Sequence, residues 1–126
     1  MNVSTQNARL EPTPELFRRA GDIAAAPVSS ARLRKGDVDC RLMMVTDDMQ
    51  CSEISWKKGS QEVLRSNPDH STIAYLISGK LKLRIGEETF VASAGDAWMY
   101  PQGVVHHVEA LEDSTGLEVN APALPS

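Results

Sequence analysis

Gly95, Pro101, Gly103 and His106 stand at spacings that bring a histidine to a place where it can do chemistry. Gly95 permits a tight turn into a strand. Pro101 fixes φ and Gly103 accepts a positive φ, so the pair builds the next turn. The strand that follows sends alternate side chains to one face, His106 among them, and His107 to the other. An imidazole with an ordinary pKa of ~6.5 works as a general base or acid near neutral pH. His107 is expected at the surface or at an interface. His70 lies two residues before Thr72, so the two share a face of any strand that holds both. Asn67-Pro68-Asp69-His70 also reads as a turn, which turns His70 toward solvent. Cys40 and Cys51 form no CxxC and supply no zinc-finger spacing. They are expected as buried free thiols.

Strands must position these groups. From about residue 38 onward, short apolar runs alternate with turn residues at regular spacing, the pattern of a sandwich or barrel. Lys80-Leu81-Lys82-Leu83-Arg84-Ile85 alternates strictly, so one face is buried and one is wet. Thr72-Ile73-Ala74-Tyr75-Leu76-Ile77 is apolar at nearly every position, which predicts cover on both faces. In a one-domain barrel that cover comes from the N-terminal arm or from a second subunit, and a homodimer is expected. The arm is residues 1–37 and the barrel 38–122. Within the arm, Thr13 suits a helix N-cap, Pro14 the first helical position and Glu15 the positive end of the dipole. Gly21 suits the stop, so a short helix is predicted over 14–20.

The chain has 126 residues, one domain's length, and a formal net charge of -4. That balance argues against nucleic acid, whose phosphates need clustered Lys and Arg. The basic runs Arg18-Arg19 and Arg32-Leu33-Arg34-Lys35 are short, sit beside acidic residues and are expected on a solvated surface. No stretch approaches the ~20 apolar residues of a membrane helix. No signal-peptide pattern opens the chain, so the cytoplasm is the expected compartment.

Two segments carry a resemblance to a known family. Gly95, Pro101, Gly103 and His106 match the second signature of the cupin superfamily, G-x5-P-x-G-x2-H-x3-N, with Ala110 in place of the last Asn. The first signature, G-x5-H-x-H-x(3,4)-E-x6-G, keeps its frame from Gly59 to Gly79. Its three ligand positions hold Arg65, Asn67 and Thr72 instead. The resemblance covers about residues 38–122. It implies an all-β fold, an antiparallel jelly-roll barrel like that of the small, RmlC-like cupins, with the N-terminal helix and arm attached. The closing stretch, Val105 to Asp113 and then Leu117-Glu118-Val119, is similar to one-domain cupins that include sugar-acid-processing enzymes of pectin breakdown.

A typical cupin centre holds a divalent transition metal on three histidines and a carboxylate. Of those positions only His106 keeps a ligand, and Arg65 is permanently cationic and cannot coordinate. No cofactor is therefore expected. In a concave barrel Arg65 becomes a clamp for a carboxylate or phosphate, because its planar fork binds oxyanions bidentately. His106 and Arg65 are the expected catalytic pair. Asn67 and Thr72 would orient a polar ligand, and Trp98 and Tyr100 would line an apolar wall. The expected partner is a small anionic molecule, and the expected chemistry that of a metal-independent isomerase, lyase or cyclase. Two alternatives stay open: a metal site rebuilt on His106 and His70 with Gln61 or Glu62 assisting, and a ligand-binding barrel without chemistry, in which His106 is a satisfied core histidine.

Overall fold

The computed structural model describes residues 9–125. Among them the chain forms eleven strands: β1 (Ala26–Pro27), β2 (Leu33–Lys35), β3 (Val38–Val45), β4 (Gln50–Trp56), β5 (Gln61–Glu62), β6 (Ser71–Ser78), β7 (Lys80–Ile85), β8 (Glu88–Ser93), β9 (Ala97–Tyr100), β10 (His106–Ala110) and β11 (Ser114–Ala121). They make two antiparallel sheets, ordered β1-β3-β4-β11-β6-β9 and β2-β5-β10-β7-β8. The sheets face one another as a jelly-roll barrel, the expected class. Among the described residues, no helix is long and apolar enough to cross a membrane.

Alternation writes the interior. On β7, Leu81 and Leu83 are buried and Lys82 and Arg84 exposed. On β11, every second residue from Ser114 to Asn120 is buried. The inward side chains divide into two halves. Val38, Ile54, Trp56, Leu76, Leu81, Leu83, Val108 and Ala110 pack as one apolar cluster. Each fully buried aliphatic side chain there contributes about 1.5–3 kcal/mol. The other half is polar and is described below.

Among the described residues of the single chain, β6 is covered on its inner face only. It alternates, with Thr72, Ala74 and Leu76 buried, while Ile73 (60% exposed) and Tyr75 (46%) stand open on the outer face. The described part of the arm does not cover them. It runs along β3 instead: β1 pairs with β3, and Val28 N–H donates to Val38 O. Across the ladders, Met99, Ile73, Val119 and Cys51 form a continuous apolar row on that outer face.

The predicted helix over 14–20 is absent. Among the described residues the arm has one 3-10 turn, at Ala20–Asp22. Thr13 does not cap a helix; its N–H and its hydroxyl both donate to Val45 O. Arg18 donates to the carbonyls of Leu42 and Met43. Leu16 is 99% exposed, so a helix here would bury no apolar face, and a short helix without one is marginal. Good local caps lost to the hydrogen bonds that a strand edge offers.

The cysteines are free and half-buried. Cys40 lies opposite Ile54 and shares the inner face with Val38, whereas Cys51 lies opposite Met44 on the outer face. Side chains on opposite faces of a sheet cannot bridge. Burial pushes both thiols up.

Candidate functional site

Two rows of the large sheet make the polar half of the interior. Ladder pairing sets Gln50, Asn120, Thr72 and Tyr100 in one row, and Ser52, Glu118, Ala74 and Trp98 in the next. The smaller sheet contributes Glu62 from β5 and His106 from β10. Arg32 enters from the start of β2. Arg65 follows β5 and is bound to His106 backbone to backbone in both directions, at 3.1 and 2.8 Å. The two motif residues farthest apart in the expected site are thus locked side by side.

Arg32 was expected in solvent, but it is 4% exposed. Its Nε donates to Glu62 Oε1 at 2.7 Å, and Nη2 reaches Glu62 Oε2 at 3.2 Å and Glu118 Oε1 at 3.4 Å. The surface reading fails because its partners lie 30 and 86 residues away, beyond any local pattern. Trp56 Nε1 donates to Glu62 Oε2 at 2.8 Å. Burial works to raise Glu62, but Arg32, Arg65 and Trp56 outweigh it and hold the carboxyl below its ordinary range. Glu118 goes the other way: burial pushes it up, Arg32 compensates only in part, and the charge of Glu62 adds to the rise.

Arg65 is left short of partners. Among the described residues its side chain makes one hydrogen bond, a 3.5 Å contact to Glu62 Oε1, and its Nε is buried without a partner. Burial and the neighbouring Arg32 lower its pKa against the pull of Glu62.

His106 is 1% exposed and stacks on Tyr100, ring centroids 3.8 Å apart and planes within 7°. Burial and the charge of Arg65 pull its pKa down to about 4, against a contact to the Val104 carbonyl. The imidazole is neutral at neutral pH. With Nδ1 3.3 Å from Val104 O, we assign the proton to Nδ1, which leaves the unpartnered Nε2 as an acceptor. The Tyr100 hydroxyl is also buried without a partner. Burial first, then Glu118 and Glu62, pushes its pKa well above the usual range, with the Trp98 indole pulling against them.

The other expected site residues are spread around this centre. Thr72 is buried and donates to Asn120 Oδ1 at 2.6 Å rather than to His106. Asn67 is half-buried, and its carbonyl accepts from Gly103 N–H, which ties the two signature segments together. Trp98 is half-buried, its indole N–H without a partner. His70 is buried, not in solvent; Nδ1 lies 2.9 Å from Asp69 Oδ1 and Nε2 has no partner. Arg32, Glu118 and Asn120 were not found as site residues from the chain alone. The inward phase of β11 was the available signal for the last two.

The donor set does not suit a divalent cation. Among the described residues no group of three or more His, Cys, Asp or Glu is arranged to hold one. Arg65, beside His106, adds a fixed positive charge.

The cupin domain family matches residues 53–119, and the chain belongs to it. Solved structures with a similar fold include an RmlC-like cupin from Shewanella frigidimarina, 16% identical, covering 90% of this chain and 96% of that one with a TM-score of 0.79. A predicted oxalate decarboxylase from Thermotoga maritima is 19% identical over 85% of this chain and 99% of its own, with a TM-score of 0.76. The polyketide cyclase RemF from Streptomyces resistomycificus is 15% identical over 89% and 82%, also at 0.76. At these identities the likeness is one of fold. No curated protein matches the chain.

Proposed function

We propose that this cupin binds a small carboxylate-bearing molecule in the polar half of its barrel, without a metal, and moves a proton on it with His106. The observation that carries the reading is the under-partnered Arg65 guanidinium beside the free Nε2 of His106. A buried cation short of acceptors is completed by a carboxylate, and the charge-assisted bonds so formed are strong. Burial and the charge of Arg65 hold His106 as a weak base. An incoming carboxylate offsets the Arg65 charge and raises its basicity. Nε2 then takes a proton from the carbon beside the acid. The electron pair moves onto the oxygen held by Arg65. Return of the proton to another carbon gives an isomerase, loss of a neighbouring group a lyase, and attack on a carbonyl of the same molecule a cyclase.

Calorimetry with small carboxylates tests the clamp. Wild type binds and Arg65→Ala does not, while circular dichroism shows both folded. Equal binding by the two would overturn it. A transition metal found at one per chain by elemental analysis would overturn the metal-free reading.

We also propose a homodimer through the outer face of the larger sheet. The row Met99, Ile73, Val119 and Cys51 and the exposed Tyr75 support it, because a patch of this kind marks an association surface. Ile73→Lys with Tyr75→Lys gives a folded monomer by analytical ultracentrifugation if this is correct. An unchanged sedimentation coefficient refutes it.

A further inference from the structure

β8 and β9 follow one another in the chain but end different sheets, and no ladder joins them. Between them lies a cleft of about 500 Å³. That volume is within the usual range of small-molecule sites. One wall carries Leu83, Ile85, Phe90 and Ala92, and the facing wall carries Trp98. Phe90 lies opposite Leu83 and shares its inward face, yet it is 45% exposed. An inward-phase aromatic left almost half exposed marks open space between the two sheet edges.

Two residues of the cleft lining, Ile85 and Trp98, adjoin the proposed centre. Ile85 lies opposite His106 in the β7–β10 ladder, so their side chains are neighbours on one face. Trp98 precedes Tyr100 by two residues on the inner face of β9. The Tyr100–His106 stack, which does not itself line the cleft, is therefore the next layer behind Ile85 and Trp98. There the buried Trp98 N–H and Tyr100 hydroxyl lie near enough to act on one another but form no hydrogen bond of good geometry. Glu88 and Asp96 also line the cleft. Their charge opposes a carboxylate lodged among them and favours one that passes inward to Arg65.

We propose that the cleft receives the flat apolar body of the ligand, so that its class is a planar aromatic acid with a hydroxyl or keto oxygen on the ring and its carboxylate on a CH2 next to the ring, where a hydrogen is available to His106. This rests on Arg65 as the clamp. The ring lies between Phe90 and Trp98, where offset stacking adds to burial. Its oxygen meets the Trp98 N–H and the Tyr100 hydroxyl. The carboxylate reaches Arg65.

The test uses hydroxynaphthoate (a binding probe with no hydrogen to give on the carbon beside its acid), cyclohexanecarboxylate and naphthol with the full chain, by calorimetry and by tryptophan fluorescence. Hydroxynaphthoate is expected to bind at least about tenfold more tightly than the other two. It should quench emission in wild type, and Trp98→Phe should lose that quenching. Phe90→Ala, at a half-exposed position that tolerates truncation, should weaken hydroxynaphthoate about tenfold and leave cyclohexanecarboxylate unchanged. If Phe90→Ala binds hydroxynaphthoate as wild type does while Arg65→Ala does not, the clamp stands and the cleft assignment falls. If Phe90→Ala alters the sedimentation coefficient and not the affinity, a second copy occupies the cleft and the assignment falls. If wild type binds no carboxylate of any shape, the clamp falls with it.

Discussion

Replacing Arg32 by Met should be the most damaging single change in the polar half. Arg32 is the main counter-charge for two buried carboxylates, with exposures of 4% and 3% for the Arg32 and Glu62 side chains. Burial works against its own charge, yet Glu62 and Glu118 outweigh that and push its pKa further up. Removing one partner of such a pair leaves an uncompensated buried charge, at about 3–5 kcal/mol. The loss depends on pH. In wild type, Glu62 titrates below its unfolded value, so its contribution is present above the ordinary carboxylate range and is lost as pH falls. Without Arg32, burial dominates at Glu62 and Glu118 alike, and both hold protons that the unfolded chain has released. The variant is then most stable at low pH and weakens as pH rises. Urea unfolding followed by Trp56 and Trp98 emission, at fixed protein concentration, should show the full loss at pH 8. At pH 5 the loss should be smaller by about 1 kcal/mol or more, since one pKa unit is worth about 1.4 kcal/mol. Changing Glu62 to Gln and Glu118 to Leu in the same chain should recover part of the stability, because the uncompensated negative charge is removed while Gln still accepts from Trp56 and Arg65. A loss under about 1 kcal/mol at pH 8, or an equal loss at both values, would refute the reasoning.

His106, with its pKa pulled down to about 4, binds fewer protons folded than unfolded between there and ~6.5, so stability falls as pH drops through that window. Its ring signals in an NMR titration should move with a midpoint near 4, and a midpoint above 6 would contradict the burial described. Gly79 has φ +94°, and a Cβ there would strike Ser114 and the Asp113 carbonyl, whereas Gly59 at φ +86° has open space around it. Thermal melts should therefore show Gly79→Ala losing more than Gly59→Ala, whose loss is about 1 kcal/mol. Thr72→Val keeps the shape but removes the donor to Asn120 Oδ1, beside an Nδ2 that already lacks a partner. A loss of about 1–3 kcal/mol in urea unfolding is expected, and none would mean that Asn120 re-pairs.

What could be read from the chain was what repeats at short range. The alternation of Lys80–Ile85 and the frame around His106 depend on neighbours a few residues apart, and both appear as expected in β7 and in the turn before β10. The apolar run of β6 was legible as a strand, but its outer face depends on what covers the sheet. The arm misled because caps at Thr13 and Pro14 are local signals, while the competing acceptors on Val45, Leu42 and Met43 come from another strand. Arg32 sits in a basic run whose look is that of a wet surface. Only the pairing of β2 with β5 turns it inward.

That same arginine sets an order of assembly. During synthesis Arg32 emerges early, Glu62 thirty residues later, and Glu118 only after 86 more residues than Arg32. Contacts of such separation form late, since loop closure precedes any return from them. The polar half of the barrel cannot be completed until nearly the whole described chain is available. A fragment begun at residue 38, where the strand pattern starts, would carry both buried carboxylates without the cation that lies between them.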